Sequence, residues 1–520
     1  MRVFVSAFCA AIFILCSCRP AAAENGTVVI FGSTASGVMA AVAVARNGAR
    51  PVLLAQTEHV GGLVSGGLSA TDEGKNRLIG GLARETFKRI GAHYGKEVEW
   101  NFEPHVAEGI FRALLAEHKV TMHTGFELER VEKREGRISA LVSRGGLRVE
   151  GDVFIDASYE GDLLAGAGVA YAIGRESKAE FSERLAGFQP EHSIDQFLKP
   201  VSGRAADGSL LKGVREKADQ EPGDGDKRIS AFNYRLCVTD NAAKRAPFPR
   251  PKVYRESDYE LLLRYFEALP TLALQHLFRF LKLQNGKFDL NNTGPFSSDL
   301  IGGGERYFEA NPEERKRILQ EHYDHLAGLW WTLNHHERVP AFVREQASHW
   351  GLCSDEFVAN GNWPPQLYIR EGRRMRGVFV LSEKDVVSER TKPDSVGMGS
   401  KYIESHHVQR YLDKLGNVFN EGFVYPKAEG QREYEIPYRS LVPKKSDARN
   451  LLVPVSVSAT HVAFSSLRME PVYMILGHST GVAAVMALRA GIDVQDVDVQ
   501  ALQTQLLHER QVLHKPETSR

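Results

Sequence analysis

The sequence predicts an α/β protein: a parallel sheet flanked by helices, an antiparallel meander attached to it, and an irregular α+β cap inserted before the chain returns. Three observations predict this. Strand-like and helix-like patterns alternate from Thr27 to about Gly174, the periodicity is mixed from about Arg175 to Ser440, and the small-residue pattern of the first helix recurs near the C-terminus. The expected division is 1–23 leader, 27–174 first part of the sheet domain, 175–440 cap, 441–495 return segment and 496–520 tail.

The elements follow in order. "VVIFG" is an all-apolar run of the kind a doubly covered parallel strand needs. "VMAAVAVARNG" is a helix with a glycine stop at Gly48, and "PVLLA" is the next strand. "NRLIGGLARETFKRIGAHYG" and "HVAEGIFRALLAEHK" have apolar residues at helical spacing. The stretch from Val120 to Ser158 reads as short strands joined by turns at "REGR" and "RGG", ending in the apolar strand "DVFIDA". In the cap, "DYELLLRYFEALPTLALQHLFRFLKL" and "PEERKRILQEHYDHLAGLWWTLNHH" are the longest helical candidates. "ARNLLVPVSVSATHV" is then a strand plus loop, and "MEPVYMILGHSTGVAAVMALRAG" a helix that rejoins the first domain.

With 65 basic and 65 acidic residues in 520, no long-range field favours nucleic acid or an anionic membrane. "MRVFVSAFCAAIFILCSCRPAAAEN" has an early Arg2, an apolar run to about Cys18 and a small-residue stretch ending at Ala23, the pattern of an export signal cut after Ala23. "LCSC" gives a second option, a lipid-bearing Cys18. Either way the expected location is outside the cytoplasm, periplasmic or secreted. After cleavage only Cys237 and Cys353 remain, outside any C-x-x-C pair; one disulfide and two buried thiols both stay open.

A strand, a glycine turn and a helix start at Gly32, Ser33, Thr34, Ala35, Ser36 and Gly37 form a Rossmann-type dinucleotide fingerprint with two departures. Thr34 replaces the middle glycine, and Ala55, followed by Gln56, stands where a ribose-binding acid is usual. The loop "EHVGGLVSGGLSATDEG", with Gly61 and Gly62 at its start, lets backbone approach a large planar ligand. "FIDAS" supplies Asp156 and Ala157 on a later strand.

Together "GSTASG", "HVGGLVSGGLSATD", "FEPHVAE", "FIDASYEGDLLAGAGVAYAIGRES", "FNYRLCVTD", "QLYIREGRRMRG", "DSVGMGS", "ESHHVQRY", "YEIPYRSLVPK" and "LLVPVSVSATHVAFSSLRMEPVYMILGHSTGVAA" resemble the FAD-dependent oxidoreductase family of glutathione-reductase-type flavoproteins, whose exported members are sometimes labelled xanthan-lyase-like. The resemblance implies a Rossmann-type FAD-binding domain with a cap, FAD as cofactor, and cofactor contacts from Gly32 to Gly37, Gln56, Gly61, Gly62, Asp156, Ala157, Glu470 and Gly477. It also implies that the helix after "SLRMEP" points its positive N-terminus at the flavin.

Oxidation of a polar C–H by flavin also needs a proton acceptor, a task suited to histidine. His461 in "SATHVAF" is the first candidate, His406 in "ESHHVQR" the second with His407 beside it, and Arg374 or Arg370 a candidate to orient substrate. Arg468 and Glu470 are candidates for a buried ion pair, and two readings stay open for Trp330, Trp331, Trp363 and Tyr368, a sugar platform and the commoner one, core filling. No metal is expected, since a His-His pair lacks further spaced ligands. The expected partners are a small polar substrate, a carbohydrate or polyol, and an envelope electron acceptor. A carbohydrate lyase and a non-catalytic flavin or saccharide binder are the rival readings.

Overall fold

A computed structural model describes residues 26–388, 390–426 and 432–515. The export signal, its cleavage after Ala23 and Cys18 lie outside the described residues.

The strand Thr27–Phe31 is the centre of a five-stranded parallel sheet. It pairs with Arg50–Leu54 on one side and Val153–Asp156 on the other; Thr121–His123 and Leu451–Leu452 complete the two edges. This is the Rossmann-type arrangement: helices join the first three strands in the chain, the meander leads to Val153–Asp156, and the last strand arrives from far along the chain. Valines, leucines and isoleucines of the three inner strands are wholly buried, as a sheet covered on both faces requires. The meander Leu128–Arg134, Arg137–Ser143 and Arg148–Glu150 turns at Gly136 and Gly146, both left-handed at φ 77° and 82°.

The helix Ala35–Arg46 and the helix Glu470–Ala490 lie against one another over the sheet. A Cβ on Gly477 would stand 2.2 Å from the Ser36 carbonyl oxygen, and one on Gly481 2.6 Å from that of Ala40. The glycines therefore let the two backbones touch. Among the described residues, Glu470–Ala490 is the one helix long and apolar enough to cross a membrane, but 89% of its apolar window is buried in the protein. Residues after 496 continue into the helix Val499–His508, and Glu509 at its end pairs with His478 of the helix Glu470–Ala490, so this end packs on the sheet domain.

The cap carries its own five-stranded antiparallel sheet, in the order Arg245–Ala246, Gly351–Cys353, Leu236–Thr239, Phe288–Asn292, Phe278–Lys282. Its long helix Pro312–His335 starts on the Asn311 side-chain cap and Pro312. The stretch from Asp258 to Leu283 is not one helix. Helix Glu260–Ala268 stops before Pro270, and Phe278–Lys282 is a strand, because proline ends the helix and Phe280 and the cap sheet compete for the rest. Cys237 and Cys353 sit on neighbouring strands as buried free thiols, Sγ to Sγ 3.1 Å.

Candidate active site

The turn after the first strand is built from backbone. Gly32 has φ 107°, and a Cβ there would stand 2.7 Å from the Ser158 amide nitrogen. Gly37 faces the Gly32 carbonyl so closely that a Cβ would lie 1.9 Å from it. Thr34 is the helix N-cap: its Oγ1 accepts from the Gly37 N–H (3.1 Å) and donates to the Ala157 carbonyl (2.7 Å). The threonine thus ties the helix start to the next strand of the sheet. The Gly61 N–H donates to the Ser33 carbonyl (2.8 Å), and the Ser33 hydroxyl to that of His59 (2.9 Å), which pins the glycine loop beside the turn. Gly61 and Gly62 are left-handed at φ 102° and 55°.

A cleft opens at this helix N-terminus, lined by Gly32, Ser33, Thr34, Gln56, Gly62 and Tyr159. Free N–H groups and the helix dipole favour a diphosphate there. Gln56 reaches the cleft where the usual acid is missing, whereas the Glu58 carboxylate is taken by the Thr124 hydroxyl. Asp156 faces its own chain: it accepts from the Ser158 N–H and hydroxyl and from the Leu164 N–H, and burial pushes its carboxyl up to about 6. Ala157 supports the turn through its carbonyl, and Gly477 lies in the helix contact at Ser36.

The Leu63 N–H donates to the Tyr159 hydroxyl (2.9 Å), which donates to Glu470 Oε1 (2.8 Å). This chain joins the glycine loop to the start of the last long helix. Glu470 Oε2 and the Ser36 hydroxyl are buried with no partner among the described residues, and burial, against the bond from Tyr159, pushes the Glu470 carboxyl up to about 8. Glycine walls, a helix N-terminus and orphaned polar atoms fit a bulky, hydrogen-bonding dinucleotide.

A family model matches residues 27–506, under the description FAD dependent oxidoreductase. The chain belongs to this family. It is an FAD-dependent oxidoreductase, and FAD is its cofactor. Membership sets aside the lyase and non-catalytic readings. No curated protein matches the chain. Among solved structures, the anhydrotetracycline hydroxylase OxyS from Streptomyces rimosus is 14% identical over 29% of this chain and 35% of its own, with TM-score 0.25. THI4 from Thermovibrio ammonificans is 17% identical over 29% of this chain and 67% of its own, at 0.22. The Diels-Alderase PyrE3 of the pyrroindomycin pathway is 16% identical over 38% and 49%, at 0.24. Such partial likenesses carry nothing about substrate.

Beyond the glycine loop of this oxidoreductase lies a second cavity, strongly charged, lined among others by Arg235, Tyr368, Arg370, His406, Phe423 and Arg468. The segment from Pro365 to Arg370 links the two, with Gln366 at the cleft and Tyr368 and Arg370 at the cavity. The glycine loop reaches it too: Asp289 accepts from the Ser69 and Ala70 N–H groups (both 3.1 Å) while paired with Arg235. His406 stacks on Phe423, and its Nδ1 lies 3.1 Å from Asp299. Burial, with the Arg370 and Arg468 cations behind it, pushes the imidazole down to about 3 although Asp299 opposes this.

His461 is buried at a helix start; its N–H donates to Glu176 (2.8 Å) and its Nδ1 lies 2.7 Å from Glu371. Burial would raise the Glu371 carboxyl, but His461 and Arg374 hold it down at about 2. His461 does not line the cavity. His407 donates from Nε2 to the Ile194 carbonyl (2.8 Å). The four arginines of "YIREGRRMRG" diverge. Arg370 meets Asp299 (2.9 Å) at the cavity, Arg373 meets Asp162 (2.7 Å), and Arg374 is wholly buried against Glu176 (2.9 Å) with Arg376 beside it (3.1 Å).

Two expectations are corrected. Arg468 and Glu470 form no ion pair, because each has other partners: Arg468 bonds the Tyr368 hydroxyl and Glu404 carbonyl (both 2.8 Å) and Glu470 bonds Tyr159. The tryptophans do not gather into one platform: Trp330 and Trp331 border a cleft of about 350 Å³ with Phe248 and Trp350, while Trp363 lies apart from it. Trp330 is enclosed between Phe248 and Phe278, Trp331 is covered by His335 and Arg250, and Trp363 is buried against Tyr234 and Tyr323. Glu103, His105 and Glu356 come together at ligand-like spacing, but Lys287 lies 2.8 Å from Glu103 and 2.6 Å from Glu356 and already supplies the counter-charge. Sequence reasoning missed Asp299, Glu371, Arg235 and Tyr159. Only Tyr159 left a signal, by its place directly after the "FIDAS" stretch.

Proposed function

We propose that the chain is an exported flavoenzyme that oxidises a small carbohydrate or polyol at a carbinol carbon, with His406 as proton acceptor. The observation that supports this best is the Asp299–His406 pair in the wall of the charged cavity, next to the glycine loop. Bound FAD supplies the two-electron acceptor for the hydride leaving the substrate carbon. An Asp299 carboxylate held by Nδ1–H fixes the tautomer that leaves Nε2 of His406 free to accept the hydroxyl proton. Asn291 and Asn292 offer neutral partners to further substrate hydroxyls. His461, one layer behind, positions the wall: Glu371, which it holds, also accepts from the Ser230 N–H (2.7 Å), and the Ser230 hydroxyl accepts from the His406 N–H (3.3 Å).

Outside the cytoplasm no soluble nicotinamide pool is at hand, so reoxidation falls to oxygen, a quinone or another envelope acceptor. The deciding experiment mixes the FAD-loaded protein anaerobically with sugars, polyols and sugar acids and follows flavin bleaching. A donor that bleaches wild type quickly and His406→Gln slowly supports the reading; bleaching by none, or equal rates in both, sinks it. Export is read from the mature N-terminus in fractionated cells: Glu24 is expected, or a lipidated Cys18, and an intact leader in the cytoplasm overturns it.

A further inference from the structure

The cap sheet brings together two cysteines that lie 116 residues apart in the chain. Cys9, Cys16 and Cys18 precede Ala23, so cleavage there leaves only Cys237 and Cys353. The fold sets these two on adjacent antiparallel strands, Leu236–Thr239 and Gly351–Cys353. Val238 pairs with Leu352, so one step along that register Cys237 stands opposite Cys353, on the same face of the sheet. Their sulfurs are in contact at 3.1 Å, each the polar partner of the other. Residues opposite one another in an antiparallel pair have Cα atoms about 4.5–5.5 Å apart, inside the about 4.4–6.8 Å that a disulfide spans. Cysteines kept only as small core fillers would have no reason to meet.

The place of the pair gives such a bond something to hold. Leu283, Ala70 and Phe357 pack around it, and Ala70 belongs to the glycine loop. On its other side the strand of Cys237 pairs with Phe288–Asn292, where Cys237 is in register with Asp289. Asp289 accepts from the Ser69 and Ala70 N–H groups, so the three strands form the floor of that loop.

We propose that the fold is built to close a Cys237–Cys353 disulfide, which staples the cap sheet beneath the glycine loop when the chain folds in an oxidising compartment. This goes beyond the substrate reading above and draws only on the export proposed with it, since cytoplasmic thiols are kept reduced. The reaction is an exchange with a disulfide-bearing catalyst of the envelope. One cysteine thiolate attacks the S–S bond of the catalyst, and the second attacks the mixed disulfide. The catalyst S–S bond breaks, the Cys237–Cys353 bond forms, and the catalyst leaves as a dithiol with two electrons and, through solvent, two protons. Closure belongs to folding and not to the finished protein. Both thiols are buried, and burial, with the Cys353 sulfur and the Glu356 carboxylate beside it, pushes the Cys237 thiol well up against the pull of Lys287. Once folded, Cys237 offers little thiolate for attack.

The test refolds residues 24–520 from denaturant with FAD in a buffer of reduced and oxidised glutathione. Peptide masses should show a Cys237–Cys353 bridge in most of the flavin-loaded product. This product should melt about 3 °C or more above wild type refolded in excess phosphine, while Cys237→Ala should melt alike in both buffers. If Cys237→Ala does not fold, judged by bound flavin absorbance, the two wild-type preparations decide. Free thiols or glutathione adducts in the flavin-loaded product overturn the disulfide, and so does equal melting of the two preparations. Protein folded in its reduced form and then given the glutathione buffer should oxidise about 10-fold or more slowly than during refolding; equal rates overturn closure during folding. Thiol counting on protein expressed with its leader separates the bond from export. Cleaved, exported protein with both thiols free overturns the disulfide and keeps export. Uncleaved cytoplasmic protein that forms the bridge on refolding overturns export and keeps the disulfide.

Discussion

Arg374 and Arg468 are both buried guanidinium groups, and their surroundings are opposite. Arg374 meets the Glu176 carboxylate and the carbonyls of Gly174 and Ala459, so it cross-links the first part of the cap to the segment that returns to the sheet. Arg468 touches a phenol and one carbonyl beside a cavity. The first is held by a carboxylate in direct contact, and the second touches only neutral oxygens, with the Asp72 and Glu404 carboxylates farther off raising its basicity. Burial of an arginine therefore says little by itself; whether a carboxylate touches it directly decides how much the fold loses with it.

Stability tests this contrast most strongly. Arg374→Met leaves Glu176 buried with Arg376 and the His461 N–H as its remaining partners, and the loss of a buried partner costs about 3–5 kcal/mol. Arg468→Met strands no carboxylate, so its loss should be under about 2 kcal/mol. Denaturant unfolding of both proteins decides, and equal losses would erase the distinction.

The two histidine–carboxylate pairs extend the comparison to rates. His406→Gln should slow flavin reduction by about 10²-fold or more, the usual range for a lost general base, with little change in FAD content. His461→Gln should cost less in reduction and more in thermal stability, because it releases Glu371 in the interior. Stopped-flow bleaching and melting temperature, measured on both variants, read the two effects apart. The reverse pattern would move the proton acceptor to His461.

Glu470 gives a smaller and pH-dependent signature. Its carboxyl titrates near 8 when folded, against about 4.3 in an unfolded chain. Its contribution is therefore favourable in full below about pH 4 and is lost as pH rises toward 8. For the protein stripped of FAD, wild-type stability should fall relative to Glu470→Gln across that window and run parallel to it above. Parallel curves throughout would mean that the carboxyl is solvated.

The sheet domain was legible because its signals are local: Gly32, Gly37 and the small residues of the first helix lie within a dozen positions, and spacing alone carries the turn and the packing. The charged cavity was not. Arg370 and Asp299 lie 71 residues apart, His406 and Asp299 107, and His461 and Glu371 90, and no period connects them. Arginines at 370, 373, 374 and 376 were legible as a cluster, but extended backbone turns successive side chains to opposite sides, so which one faced the cavity depended on the cap's packing.

The last prediction concerns Thr34, which by sequence alone is a flaw in the glycine fingerprint. Its hydroxyl caps the helix at Gly37 and binds the Ala157 carbonyl, so it does two jobs that glycine cannot do. Thr34→Gly restores the common pattern yet should destabilise the protein by about 0.5–1 kcal/mol, since the cap and a buried hydrogen bond go while the helix keeps a tolerated N-cap residue. Thr34→Val should cost more, because it removes the hydroxyl and leaves the Ala157 carbonyl facing a methyl group. A glycine variant that is as stable as wild type and binds FAD more tightly would mean that the threonine only narrows the turn. A loss in both variants, larger for valine, would make the departure from the fingerprint a fastening between helix and sheet.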